Sequence, residues 1–148
     1  MGSDLKTANP PRFWVWATQD PTGTPLDRIQ IVKGWTENGE QRQRVWDVVC
    51  SGARQPNELG QCPKTSASVD LSSCSRTGEE GARELEVTFS DPDFSAAQPA
   101  FYYARVLENP TCRWTTMLAN SGGVELPHDV PAVVQERGWS SPIWSASR

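Results

Sequence analysis

The sequence of 148 residues lacks any long hydrophobic run, and no stretch approaches the about 20 apolar residues that a membrane-spanning helix needs. It also has little positive charge, because 14 Lys and Arg stand against 18 Asp and Glu for a formal net charge of −4. A chain of this charge offers no basic stripe for the phosphates of a nucleic acid. The sequence therefore predicts neither a membrane span nor a nucleic acid as a partner.

Groups that carry catalysis are scarce as well. His128 is the single histidine, and it follows a proline in a predicted loop with no obvious partner for acid–base or metal chemistry. The segment Asp91-Pro-Asp93 has only part of the carboxylate pattern of a calcium loop, so we interpret it as a turn. Ser140 and Ser141 lack the flanking glycines of a nucleophile elbow. We predict no catalytic residue, no metal site and no cofactor in this chain.

The four cysteines lack the C-x-x-C pairs that are typical of zinc sites, and their even number predicts two disulfides. Three pairings are possible, and the sequence alone does not choose among them. We favour Cys50 with Cys62, across a loop rich in Gly, Pro and Asn, and Cys74 with Cys112. Four buried free thiols in a cytosolic protein are the alternative.

Disulfides predict a periplasmic or extracellular location, because they persist in oxidising compartments. The amino terminus nevertheless has no secretory signal, with its basic, apolar and small-residue parts. We therefore expect the chain to be a fragment of a longer exported protein, with the true start upstream.

Short segments with a period of two dominate the chain, and no segment has the pattern of a long amphipathic helix. These segments are rich in β-branched and aromatic residues and are bounded by turn residues. The predicted strands are Phe13 to Thr18, Arg28 to Trp35, Arg44 to Val49, Glu84 to Phe89, Phe101 to Glu108 and Val133 to Arg137. The stretches from Ser51 to Ser75 and from Leu118 to Pro131 are predicted to be irregular connections.

The clearest predicted hairpin turns at Asn38-Gly39, a pair that suits the positive φ angles of a type I′ turn. This turn sets a register in which apolar residues match across the strands. The predicted pairs are Trp35 with Arg42, Val32 with Val45, Ile31 with Trp46, and Ile29 with Val48. One face of the hairpin is then apolar and is expected to face the core.

A second apolar stripe, formed by Leu85, Val87 and Phe89, allows two sheets to close over one core. Residues 1–148 are therefore predicted to form a single all-β domain, an antiparallel β-sandwich with long disulfide-stapled loops. We describe it as only loosely immunoglobulin-like, because no tryptophan follows Cys50 at the usual position.

Four tryptophans are candidates for an interface: Trp14, Trp16, Trp139 and Trp144. The first two alternate with Phe13 and Val15, so one pair of side chains faces away from the other. Packing inside the core is the ordinary role of tryptophan. An exposed tryptophan face instead indicates a contact with a neighbouring domain, or a platform that stacks on a sugar ring.

Five segments resemble the carboxyl-terminal end of the proteins grouped as domain of unknown function 3604, which are exported relatives of the PHP-type metal-dependent phosphoesterases. The segments are Ala17 to Pro21, Leu26 to Trp35, Asp91 to Phe94, Phe101 to Trp114, and Gln135 to Trp144. The resemblance implies a longer parent whose catalytic part lies upstream and holds divalent metals with histidines and carboxylates. None of those motifs falls on this sequence, so no catalytic residue carries over.

The resemblance leads to the hypothesis of a noncatalytic accessory domain at the carboxyl terminus of an exported, PHP-like DUF3604 protein. Its expected partner is the upstream catalytic domain of the same polypeptide, which is a possible metal-dependent hydrolase of unknown substrate. The alternative is a β-sandwich module that binds a carbohydrate or another cell-surface ligand through exposed tryptophans.

Overall fold

A computed structural model describes residues 2–145 of the chain. In chain order the elements are β1 (Ser3–Leu5), β2 (Arg12–Thr18), β3 (Leu26–Glu37), β4 (Glu40–Cys50), β5 (Ser68–Val69), β6 (Arg76–Thr77), β7 (Glu84–Ser90), β8 (Ala100–Glu108), β9 (Thr111–Cys112), α1 (Trp114–Gly122), β10 (Val133–Val134), β11 (Arg137–Trp139) and β12 (Ile143–Ser145). No helix in these residues is long and apolar enough to cross a membrane.

Six strands form one large sheet in the order β1-β12-β8-β3-β4, and β11 also pairs with β8. The pairs are antiparallel except for β1 with β12, which are parallel. A second sheet consists of β2 and β7, paired antiparallel along seven residues of each strand. Two further strand pairs, β5 with β6 and β9 with β10, lie in the connections.

The core lies between the large sheet and the β2–β7 pair. Phe13 of β2 contacts Tyr102 of β8 with ring centroids 4.9 Å apart, and Trp46 of β4 contacts Phe89 of β7 at 5.2 Å. Burying such a side chain contributes roughly 1.5–3 kcal/mol each, so these cross-sheet contacts hold the two layers together. The predicted all-β sandwich is therefore confirmed.

The β3–β4 hairpin turns at Asn38 and Gly39, whose φ angles of 51° and 80° are those that a type I′ turn requires. Three predicted cross-strand pairs are present: Trp35 with Arg42, Val32 with Val45, and Ile31 with Trp46. The fourth is wrong, because Ile29 pairs with Val49 instead of Val48. The register shifts at an irregularity between Ile29 and Gln30, and a bulge of this kind moves every later pair by one residue.

The connection predicted from Leu118 to Pro131 begins inside a helix that the sequence analysis missed. Helix α1 starts at Trp114 and ends before Gly123, which takes the left-handed conformation with a φ of 63°. Its buried residues are Thr116 and Ala119, whereas Met117 and Leu118 are exposed. Because the apolar residues do not face the core, the helix has no stripe of the kind that predicts a packed helix.

The predicted strand from Val133 to Arg137 is two separate strands. Val133–Val134 pairs with the short strand β9, and Arg137–Trp139 pairs with β8. Gln135 and Glu136 separate them, and the Gln135 side chain donates a hydrogen bond to Asp27 at 3.0 Å. One segment with a period of two therefore contributes strands to two different sheets.

Both disulfides are present with the pairing that the sequence analysis favoured. Cys50 at the end of β4 is bonded to Cys62, which closes the loop between them. Cys74 is bonded to Cys112 of β9, and this bridge attaches the connection between β5 and β6 to the segment that leads into α1. Loops that would otherwise be long and irregular are thus fastened to the sheet.

Candidate functional site

The four candidate tryptophans are all exposed, with fractional exposures of 64% for Trp14, 55% for Trp16, 60% for Trp139 and 51% for Trp144. They do not form one surface. Trp14 and Trp16 project from the outside of β2, opposite to the buried Phe13. Trp139 and Trp144 belong to β11 and β12 of the large sheet.

The aromatic face comprises Phe101, Tyr103, Trp139 and Trp144 and lies on the side of the large sheet that faces away from β2 and β7. The rings of Phe101 and Tyr103 are nearly parallel, with an interplanar angle of 8° and centroids 6.3 Å apart. Trp144 lies against Phe101 at 5.3 Å with a tilt of 52°. Three of these rings line a groove of about 870 Å³ that is bordered by the polar side chains Arg42 and Gln43.

The alternation of β8 produces this face. Tyr102 points into the core, so its neighbours Phe101 and Tyr103 point outward. Phe101 is in register with Gly34 of β3, and a Cβ atom at Gly34 would clash with the Phe101 ring. The missing side chain at Gly34 therefore lets the ring lie across β3. Val32, in register with Tyr103, is only 3% exposed.

A buried polar cluster lies on the opposite, inner side of β3. Lys33 Nζ is 2.5 Å from Asp91 Oδ2, and the Tyr102 hydroxyl donates to the same oxygen at 2.8 Å. Lys33 also donates to the backbone carbonyl of Asp93 at 3.1 Å. Burial, aided by the hydrogen bond to Asp91, raises the pKa of Tyr102 well above its ordinary value. Because each polar group is paired within the cluster, we interpret the cluster as a structural link between β3, β8 and the turn that follows β7.

The turn predicted at Asp91-Pro-Asp93 is present, but its first residue does more than turn the chain. The Asp91 carboxylate accepts the Asp93 backbone N–H at 2.8 Å, as in an Asx turn, while its other oxygen meets Lys33. The sequence contained a signal that was missed. Lys33 continues the alternation of Ile29 and Ile31, which face the core, and a buried lysine requires an acidic partner.

A second buried carboxylate was also missed. Asp27 is fully buried and accepts hydrogen bonds from Arg54 at 2.7 Å and from Gln135 at 3.0 Å, and it is paired with Arg28. Arg54 lies in the loop closed by the first disulfide, and Gln135 lies between β10 and β11. The carboxylate therefore joins two connections to the start of β3, a role that depends on residues distant in sequence.

The turn from Thr77 to Gly81 carries one anchoring group. The Glu80 carboxylate accepts the Ser66 backbone N–H at 2.6 Å and the Thr65 hydroxyl at 3.1 Å. The Ser66 hydrogen bond is the largest cause that lowers the pKa of Glu80 below its ordinary value. The turn is thus attached to the neighbouring loop.

The residues considered for catalysis lie apart. His128 is exposed in the connection that follows α1. The Ser140 hydroxyl accepts the Ala104 backbone N–H at 2.9 Å and donates to the Ser141 carbonyl, which holds the turn between β11 and β12 against β8. Within residues 2–145 no three histidine, cysteine or carboxylate side chains are grouped in a way that suits a metal ion.

Comparison with known families identifies the chain. A family described as protein of unknown function (DUF3604) matches residues 1–147. The chain belongs to the DUF3604 family. No curated protein and no solved structure gives a significant match. For this DUF3604 chain the predicted family is therefore confirmed over essentially its whole length.

The aromatic face gives the DUF3604 chain a surface that can make apolar and stacking contacts. The aromatic face can bury apolar area and stack against planar or apolar groups, while Arg42 and Gln43 can donate hydrogen bonds at its border.

Proposed function

We propose that this DUF3604 chain is a noncatalytic accessory domain that packs on the upstream part of the same exported polypeptide and stabilises it. The upstream part is proposed to be PHP-like and to hold the divalent metals. The observation that carries the proposal is the aromatic face, in which Trp139 and Trp144 are more than half exposed. Large exposed aromatic side chains are concentrated at interfaces between proteins and between domains.

The position of β1 supports an upstream occupant for this face. Asp4 of β1 is in register with Trp144 of β12, so β1 forms the edge of the large sheet beside the aromatic face. A polypeptide that precedes β1 would join the domain at this edge. Contacts between domains of one chain commonly bury about 600–1,500 Å², an area that a face with four large aromatic rings can supply.

The two disulfides support an exported protein. All four cysteines are bonded, and such bridges are characteristic of oxidising compartments. We therefore place the polypeptide in the periplasm or outside the cell.

The test compares the isolated chain with an extended polypeptide, which also contains the proposed upstream part. The double substitution Trp139→Lys with Trp144→Lys is expected to lower the unfolding temperature of the extended polypeptide by several degrees and to leave that of the isolated chain nearly unchanged. The matched control is Trp114→Lys, because Trp114 is 63% exposed on α1, away from the aromatic face. Equal unfolding temperatures for the extended protein and its Trp139/Trp144 variant would show the proposal to be wrong.

A carbohydrate-binding module is the second candidate, and the parallel rings of Phe101 and Tyr103 favour it. The two parallel rings and the neighbouring Trp144 offer flat apolar surfaces against which the apolar face of a sugar can stack. In this case tryptophan fluorescence should titrate with a soluble cello-, xylo- or chito-oligosaccharide, and Trp144→Ala should abolish the response. A response of the same size in the extended polypeptide would favour this candidate over docking.

A further inference from the structure

Strand β2 has one unpaired edge. It pairs with β7 along its whole length, from Arg12 with Ser90 to Thr18 with Glu84, and no other strand in residues 2–145 pairs with it. In an antiparallel pair, alternate residues direct their N–H and C=O groups to the partner and the others direct them away. The second edge of β2 therefore presents a row of backbone donors and acceptors.

A groove runs beside this edge and exposes part of the core. Its volume is about 520 Å³, and its walls include Phe13 and Val15 from β2 together with Tyr102, Ala104 and Ile143 from the large sheet. These residues belong to the inner faces of the two layers. The two-stranded sheet is narrower than the six-stranded sheet, so the sandwich is open where a third strand beside β2 would lie.

The sequence of β2 gives this edge no protection. After Arg12 it reads Phe-Trp-Val-Trp-Ala-Thr, with no charge and no proline, and its pairing with β7 is continuous without a bulge. Proteins protect exposed strand edges with charged residues, prolines, bulges or very short strands. A flat hydrophobic edge of this length is the kind that pairs with another strand.

The edges of the large sheet show the contrast within the same protein. One edge, β4, carries the exposed charged residues Glu40, Arg42 and Arg44 in its first half. The other edge, β1, is only three residues long. Both edges therefore have a feature that discourages pairing, whereas β2 has none.

We propose that an extended segment of the upstream polypeptide adds to the free edge of β2 as the missing strand of the second sheet. The backbone groups of β2 specify an extended peptide, and the apolar groove specifies apolar side chains at alternate positions of that peptide. A strand that matches the seven residues of β2 is about 23 Å long. Gly2 and Ser3 line the same groove, so a polypeptide that precedes them would start beside this edge. This inference rests on the proposed function, because the segment comes from the polypeptide that docks.

Hydrogen exchange in the isolated chain and in the extended polypeptide tests the inference. Amides of β2 that point away from β7 are expected to exchange at least about 10-fold more slowly in the extended polypeptide. Equal rates in the two proteins would overturn the inference. The comparison uses unmodified protein, so it does not depend on the folding of any variant.

A substitution that directs charge into the groove provides the second measurement. Val15→Lys places an ammonium group at the groove and is expected to remove the added protection of β2 in the extended polypeptide. The matched control is Thr88→Lys, which introduces the same charge at an exposed position of β7 that is in register with Trp14. Persisting protection in the Val15→Lys variant would contradict strand addition in the groove.

The outcomes separate this inference from the proposed function. If amides of β11 and β12 beneath the aromatic face become protected in the extended polypeptide but those of β2 do not, docking is supported and strand addition is wrong. If neither region becomes protected, both proposals fail. Protection of β2 in the isolated chain that increases with protein concentration would identify a second copy as the occupant and would overturn the inference.

Discussion

Lys33 and Asp91 form an ion pair that is almost completely removed from solvent, with side-chain exposures of 3% and 0%. The pair joins the middle of β3 to the turn that follows β7, and so connects the two sheets at one end of the core. Charges buried in this way are tolerated only when they are paired, because each loses its hydration.

Asp91→Ala should destabilise the domain by about 3–5 kcal/mol, because it leaves the Lys33 ammonium buried without its partner. Urea denaturation followed by tryptophan fluorescence measures the free energy of unfolding. The matched control is Asp93→Ala, which removes an exposed carboxylate paired with Arg44 and should cost at most about 1 kcal/mol. The double variant Lys33→Met with Asp91→Ala should be more stable than Asp91→Ala alone. Equal losses for Asp91→Ala and Asp93→Ala would contradict this account.

Removal of either disulfide should lower stability according to the length of the loop that it closes. The Cys50–Cys62 bridge spans 12 residues and the Cys74–Cys112 bridge spans 38, so loop-closure entropy predicts losses of about 3 and about 4 kcal/mol. Paired Cys→Ser variants of each bridge are compared by urea denaturation. Intact mass before and after reduction in denaturant should differ by four hydrogens. An unchanged mass would show that the bridges do not form.

Gly34→Ala should disturb the aromatic face, since the added methyl group meets the ring of Phe101. The expected cost is about 1–3 kcal/mol, with a change in the near-ultraviolet circular dichroism of the aromatic residues. Gly138→Ala is the matched control, because a methyl group at that position in β11 has no atom within 4 Å. In a double-mutant cycle, Phe101→Ala should remove most of the cost of Gly34→Ala. A cost that persists without the ring would place its origin in the backbone.

Glu80 should contribute stability that depends on pH. Its pKa is lower in the folded protein than its ordinary value, so the contribution is complete above the ordinary value and is lost as the pH falls through the folded pKa. The stability difference between the protein and Glu80→Gln should therefore shrink between about pH 6 and pH 3. The control is Glu79→Gln, an exposed neighbour in the same turn. A difference that stays constant over this range would contradict the role of the Ser66 hydrogen bond.

The strands with regular alternation were predictable because their pattern is local. The strand predicted from Phe13 to Thr18 is β2, and the one predicted from Glu84 to Phe89 is β7, each within one residue. The hairpin was equally accessible, since Asn38 and Gly39 define the turn and the turn defines the register. The prediction failed at Ile29, where a bulge changed the register without any local signal.

The buried polar residues were not predictable in the same way. Lys33 pairs with Asp91 across 58 positions, and Gln135 bonds to Asp27 across 108. No local pattern links residues that far apart. Helix α1 was missed for a related reason. Its large apolar residues face outward, so their spacing does not indicate a helix that packs on the core.

The sequence by itself determined the class of the fold, the family and the disulfide count, and it named Trp14, Trp16, Trp139 and Trp144 as candidates for an interface. Each of these depends on composition, on alternation along one strand or on similarity read residue by residue. Only the tertiary structure decided that the four tryptophans lie on two opposite faces, that Phe101 lies across Gly34, and that β2 keeps a free edge. Alternation specifies which side of its own strand a residue occupies, but the identity of the neighbouring strand is set by long-range pairing, which a single segment does not encode.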